Sequence, residues 1–239
     1  MKKAAQRDRW MQVFLAQARG PTRNGDLLRR AIDRALRIRA VREGKQRETI
    51  MDDALMETLQ AVVEALESVG AVYAVTGSVA SSIHGEPFSS LDVDLVLQAS
   101  RGQVETLSET LSPRFYAPVD RLREAADRHE LANVVDNRTG LKVDLSFIGE
   151  DAFLREVLRR RVRMPIGTHP AELWFVTAED VILLKLLCWK DTRSAKQWEN
   201  ALSVARVRGA RLDWAYLFKQ AHRLHLEDDL VNLRDEAGI

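Results

Sequence analysis

Three aspartates and one glycine turn carry the chemistry that can be read in this sequence. In Tyr73-Ala-Val-Thr-Gly77-Ser78 an apolar, β-branched run ends at Gly-Ser and passes into a helical segment from Val79 to His84. Backbone N–H groups at such a helix start face whatever lies at the strand end. The missing side chain of Gly77 lets an anion such as a phosphate approach closely. Fourteen positions after Ser78, the run Leu91-Asp92-Val93-Asp94-Leu95 puts Asp92 and Asp94 at alternate positions of a strand. Both carboxylates then project from one face and the apolar residues from the other. Adjacent carboxylates repel each other, and a hard divalent cation with oxygen ligands is the usual remedy. A third acid stands in Leu141-Lys142-Val143-Asp144-Leu145-Ser146-Phe147, where alternation puts Lys142, Asp144 and Ser146 on one face. If this strand neighbours the Asp92 strand, Asp144 joins the pair. Three carboxylates around one or two Mg²⁺ ions, with Mn²⁺ as a substitute, suit in-line nucleotidyl transfer opposite a turn that holds phosphates. The metal bridges the triphosphate and one carboxylate accepts the proton of the attacking hydroxyl.

Other polar residues have plainer readings beside the functional ones. Lys185 is the only charge between Asp180 and Lys190 in an otherwise apolar helix, so its ammonium needs a carboxylate, a phosphate or a route to water. A place near a nucleotide and snorkelling at the helix edge both satisfy it. Lys142 can pair with Asp144 or form a simple surface ion pair. His84 fits a structural or helix-terminal hydrogen bond better than catalysis. His222 and His225 have helical metal-site spacing but no evident third ligand, and read as solvated. Trp174, Trp189, Trp198 and Trp214 are spread over helical and strand segments, which suits core packing.

The elements that must position these residues form an α+β (α/β) pattern. A helix is expected from about Asp52 to Ser68, where Leu55, Leu59, Val62, Leu66 and Val69 recur at helical spacing and Gly70 ends it. Strands are expected at Ala71 to Thr76, Leu91 to Leu97, Leu131 to Asp136 and Leu141 to Ile148, the last two joined by Asn137-Arg138-Thr139-Gly140 as an antiparallel hairpin. Helical segments fall at about Gly102 to Leu111 and Asp151 to Arg161. A small mixed sheet within 49–176 and a helical region over 177–239 result. Thr177 with Asp180, and Ser194 with Gln197, have the form of capping boxes, and Asp213 can cap a further helix. Because Val181 to Trp189 is apolar almost all round, that helix should be buried.

At 239 residues, with 46% hydrophobic and 30% charged, the chain has the composition of a globular protein, not a disordered or collagenous one. The single Cys188 permits no internal disulfide, and no apolar run approaches the ~18 residues of a membrane span. A cytoplasmic location is the expectation. The net charge of +1 hides an asymmetry: residues 1–48 hold 14 Lys or Arg against 5 Asp or Glu, and the rest of the chain is acidic. Such a basic helical arm can attract RNA or another acidic partner, or be the solvated face of helices.

The order of these features resembles the nucleotidyltransferase superfamily that includes DNA polymerase β. Its signature is an apolar residue, Gly and Gly or Ser, then Asp-x-Asp, then a third acid on a separate strand. Tyr-Ala-Val-Thr-Gly-Ser, Ile-His-Gly, the acid pair, the later acidic strand and Ala-Glu-Asp-Val-Ile-Leu-Leu-Lys-Leu look like small prokaryotic nucleotidyltransferase-like proteins related to AbiEii-type abortive-infection toxins. The resemblance covers about residues 52–225 and implies the nucleotidyltransferase fold. It also implies nucleotide phosphates on Gly77, Ser78 and Lys185, Mg²⁺ on Asp92 and Asp94, and Asp144 as ligand or general base. An NMP would pass from an NTP to a hydroxyl of RNA or tRNA, a protein or a small molecule, in a toxin–antitoxin or phage-defence setting with a cognate toxin or antitoxin as partner. Relatives often have Arg and then Thr where this chain has Phe88 and Ser90, and an aspartate where it has Asn200. The alternative those departures favour is a catalytically silent binding protein, an antitoxin or regulatory partner.

Overall fold

A computed structural model describes residues 53–87, 92–165 and 172–239. Helix α1 (Asp53–Ser68) precedes strand β1 (Val72–Thr76), and α2 (Gly77–His84) follows that strand with no intervening loop. Then come β2 (Asp92–Gln98), α3 (Arg101–Leu111), β3 (Phe115–Tyr116), α4 (Val119–Arg128), β4 (Leu131–Asp136) and β5 (Lys142–Phe147). The chain continues through α5 (Ala152–Arg160), β6 (Val162–Pro165), β7 (Glu172–Phe175), α6 (Ala178–Thr192), α7 (Ala195–Arg208), α8 (Trp214–Leu224) and α9 (Glu227–Ala237).

The strands make one mixed seven-stranded sheet in the order β3-β4-β5-β2-β1-β7-β6. β1 runs antiparallel to β2, β2 runs parallel to β5, and β5 closes the expected hairpin with β4. Alternation explains how the central strands bury one face. On β2, Val93, Leu95 and Leu97 are wholly buried while Asp92 and Asp94 stay partly open to solvent. On α1, Leu55, Leu59, Val62 and Leu66 are buried against the sheet layer, each worth roughly 1.5–3 kcal/mol relative to exposure. One cluster of buried apolar residues runs from Leu55 to Leu233, so the sheet and the carboxy-terminal helices share a core.

Helix α6 is buried almost all round, as its composition predicts, with Val181 through Cys188 inaccessible apart from traces. Its Thr177 cap accepts the Asp180 amide, and the buried Asp180 carboxylate in turn accepts from Thr177 at 2.7 Å and from the Tyr216 hydroxyl at 2.6 Å. The Arg160 guanidinium lies 3.6 Å from the Tyr216 ring centroid, tying α5 to α8 across that carboxylate. Asp213 caps α8 through the Tyr216 amide, as expected.

The second capping box fails: Ser194 occupies the cap position of α7, but its side chain makes no cap hydrogen bond. The Gln197 amide instead bonds to the Ser194 carbonyl at 2.9 Å, so backbone replaces the hydroxyl. β3, α4, β6, β7 and α9 escape the sequence pattern, being too short or too polar: β7 has four residues and α4 buries only Leu122 and Ala125. The basic arm 1–48 and the positions Phe88, Ser90 and Leu91 lie outside the described residues.

Candidate active site

The parallel pairing of β2 with β5 brings the three acids together. Asp94 is the register partner of Asp144, and Asp92 that of Lys142. The register continues outward: Thr76 of β1 is opposite Asp94, and Asn133 of β4 is opposite Asp144. Thr76, Asp94, Asp144 and Asn133 therefore form a polar row across four adjacent strands, flanked by Asp92 and Lys142. Neighbouring strands lie about 4.8 Å apart, so side chains in such a row meet.

Gly77 is where the turn meets the acid. Its φ is +64°, a left-handed conformation that L side chains rarely adopt. A Cβ there would fall 1.9 Å from Asp94 Oδ2. The space beside Gly77 is thus filled by the Asp94 carboxylate itself. The first amides of α2 have no side-chain cap from Thr76, and Asp94 sits at the positive end of that helix. Ser78 is buried one residue further on, and its carbonyl accepts from Ser82 Oγ at 2.9 Å.

Burial, the Asp144 charge and the Asp92 charge together push the Asp94 carboxyl from 3.8 up to about 6, against the attraction of Lys185 and Lys142. Two carboxylates ~5 Å apart repel by about 3 kcal/mol at an effective dielectric of ~20. Asp144 is 3% exposed, and burial also raises its pKa, opposed by Lys142 and Asn133. Asn133 Nδ2 donates to Asp144 Oδ1, and the Lys142 ammonium donates to Oδ2 at 3.0 Å. Lys185 is 5% exposed on α6. Burial lowers its pKa, while Cys188 and Asp94 favour its charge.

The donors fit a hard divalent cation in kind: carboxylate oxygens on adjacent strands, with a repulsion at Asp94 that a cation would relieve. Asp144 is turned toward Lys142 and Asn133, and among the described residues no group of three His, Cys, Asp or Glu is drawn together as a metal shell. Asn133 is the member of the row that sequence pattern did not single out. Its opposition to Asp144 follows from the hairpin register, which the Asn137–Gly140 turn sets.

The remaining polar residues have structural places. His84 holds the Val176 carbonyl through Nε2 at 2.7 Å, and its Nδ1 meets Arg208 Nη2 at 3.0 Å. It therefore ties α2 to the strand before α6 and to the end of α7. His222 is exposed and pairs with Glu227 at 2.7 Å, and His225 is exposed in the left-handed C-cap of α8. Trp189 and Trp198 pack with centroids 4.7 Å apart, while Trp174 is overlaid by Arg161 and Arg163. Trp214 packs on Phe218 at 6.1 Å. Asn200 is wholly buried, and neither amide atom has a hydrogen-bond partner among the described residues. No helix of the described residues is long and apolar enough to cross a membrane.

No family model matches this chain, and no curated protein does. Solved structures do. The antibiotic-resistance factor ANT(2'')-Ia, known from a solution structure, covers 76% of this chain and 99% of its own at 12% identity and a TM-score of 0.50. An antigenic nucleotidyltransferase-like protein from Paracoccidioides brasiliensis covers 77% of this chain and 94% of its own at 15% identity and a TM-score of 0.46. The mixed sheet with its flanking helices, the α+β architecture expected of this chain, is thus a fold shared with the antibiotic-resistance factor ANT(2'')-Ia.

Proposed function

We propose that this protein is a metal-dependent nucleotidyltransferase that moves an NMP from an NTP to a hydroxyl acceptor. The observation that carries the reading is the in-register pairing of Asp94 with Asp144 beside Asp92, facing the Gly77–Ser78 turn. Asp92 and Asp94 would hold Mg²⁺, or Mn²⁺ in its place, which when bound supplies charge neutralisation for the triphosphate. Asp144, buried and hydrogen-bonded by Asn133 and Lys142, would accept the proton of the attacking hydroxyl. The amides at the start of α2, which Thr76 does not cap, and the Ser78 hydroxyl would orient phosphates once a cation draws the Asp94 carboxylate away from Gly77. The Lys185 ammonium, with its charge acting on Asp94, would face the same anion from α6. The fold shared with ANT(2'')-Ia supports the transferase class.

RNA or tRNA recruited by the basic arm, a protein or a small molecule all fit the chemistry, and an AbiEii-like toxin–antitoxin role rests on the motif resemblance. The decisive experiment incubates the full chain with each labelled nucleoside triphosphate and Mg²⁺, beside Asp92→Ala and Asp144→Ala. Label transfer by the wild type that is lost in both variants is expected; transfer that survives both refutes the mechanism. A second reading, a silent nucleotidyltransferase-like binding protein, is favoured by Asn200, whose buried amide stands where relatives often have an aspartate. Calorimetry separates the two: Mg²⁺-dependent binding of a non-hydrolysable triphosphate belongs to the first, and its absence to the second.

A further inference from the structure

Lys142 puts a fixed positive charge inside the carboxylate row. It is the register partner of Asp92 across β2 and β5 and stands two positions before Asp144 on the same strand, so it emerges on the face that carries all three acids. Its ammonium lies 3.0 Å from Asp144 Oδ2 and 3.0 Å from Oδ1. Asn133 donates to Oδ1 from the other side. Both oxygens of the buried Asp144 carboxylate are therefore engaged by protein donors. A divalent cation on Asp144 would have to displace the ammonium from the same lone pairs, and two like charges would then crowd one carboxylate. With Lys142 counted, three carboxylates reach neutrality with a single dication, and the Lys185 charge acting on Asp94 lowers the demand further.

We propose that the Lys142 ammonium stands where a two-metal nucleotidyl-transfer site would hold its second cation, so this chain binds one divalent ion, on Asp92 and Asp94. Asp144 is then reserved as the proton acceptor, and Lys142 and Asn133 are positioning residues that hold it. This rests on the nucleotidyl-transfer reading of the same site. It extends that reading to the number of ions and the residue that replaces one of them.

The test is Mn²⁺ titration of the full chain, with the metal alone as probe, counting bound ions by electron paramagnetic resonance. Wild type should bind one Mn²⁺ per chain with an isolated-ion spectrum, and Lys142→Arg should do the same because it keeps the charge. Lys142→Gln should bind two, with the broadened spectrum of a spin-coupled pair. Lys142 is partly exposed, and circular dichroism verifies that both variants stay folded. Asp94→Asn should lose the ion. Two ions in wild type or in Lys142→Arg, or one in Lys142→Gln, would overturn the inference while leaving the nucleotidyl-transfer reading in place. No ion in wild type would overturn that metal reading and this inference with it.

Discussion

Replacing Gly77 by alanine probes whether the turn and the acid are built against each other. The new Cβ would meet Asp94 Oδ2 at 1.9 Å, Cγ at 2.6 Å and Cβ at 2.7 Å. Rotation about the Asp94 side chain can move the carboxylate, but not its Cβ, which β2 fixes in the middle of the sheet. The left-handed backbone at φ +64° adds its own cost, about 1–2 kcal/mol for an L residue. Overpacking against Asp94 adds about 1–3 kcal/mol. Gly77→Ala should therefore lower the unfolding free energy by about 2–5 kcal/mol in a urea titration. The two contributions separate in a double-mutant cycle with Asp94→Gly, which removes all three obstructing atoms. In that background only the backbone cost remains, so a coupling of about 1–3 kcal/mol is expected between the sites. An equal cost in both backgrounds, or a loss under ~0.5 kcal/mol in wild type, would refute the close contact on which the candidate site is built.

The other expectations concern buried charge. The folded pKa of Asp94 is raised from 3.8 to about 6, so the stability tied to its protonated form is complete below about 4 and lost as the pH rises through about 6. Asp94→Asn should thus stabilise the metal-free protein by about 1–3 kcal/mol at pH 8 and by about 1 kcal/mol less at pH 5, measured by urea titration; a gain independent of pH would contradict the assignment. At Asp136, burial raises the pKa but hydrogen bonds from Arg114, the Arg138 amide and Thr58 outweigh it and bring it down to about 2. Asp136→Ala, which leaves the Arg114 guanidinium only the longer Glu57 contact at 3.5 Å and leaves Thr58 without its acceptor, should cost about 3 kcal/mol in a denaturant titration at pH 7; a loss below ~1 kcal/mol would show the network to be dispensable. Asn200→Leu replaces an unpaired buried amide by an apolar side chain of similar size and should raise the melting temperature. A lower melting temperature would reveal a partner for the amide, such as an internal water.

The sequence carried the strands of the site and the faces of their acids because a period of two is visible in seven residues. β2 and β5 have it, and the turn chemistry of Asn137 to Gly140 marks β4 and β5 as a hairpin. Beyond that hairpin it could not carry which strands are neighbours. The adjacency of Asp94 and Asp144 depends on a parallel crossover through α3 and α4, and α4 was invisible because two buried residues leave no apolar stripe. Asn133 was missed for the same reason, since opposition across a hairpin selects it and its own neighbours do not. Gly77 was read as a place for an approaching anion. What the sequence could not show is that β1 and β2 run antiparallel, which brings the Asp94 carboxylate into that space.

The electrostatics of the row bear on whether it is chemistry or scaffold. A sheet needs no charge at Asp94: serine or asparagine there would satisfy neighbouring donors without the burial and repulsion that lift its carboxyl to about 6. Elsewhere in this fold buried acids find donors in their neighbours: bonds from Arg114 and Thr58 help bring Asp136 down to about 2, whereas at Asp180 the bonds from Thr177 and Tyr216 offset only part of the rise that burial causes. At Asp144 burial likewise outweighs the bonds from Lys142 and Asn133, and at Asp94 burial and the charges of Asp144 and Asp92 outweigh two lysines and lift the carboxyl to about 6. A carboxylate left at a net disadvantage beside a second and a third is an arrangement suited to a cationic ligand, and stability alone gives no reason for it. Asp94, whose carboxyl burial and repulsion lift to about 6, is thus also the residue that the Gly77 turn meets and on which the Lys185 charge acts.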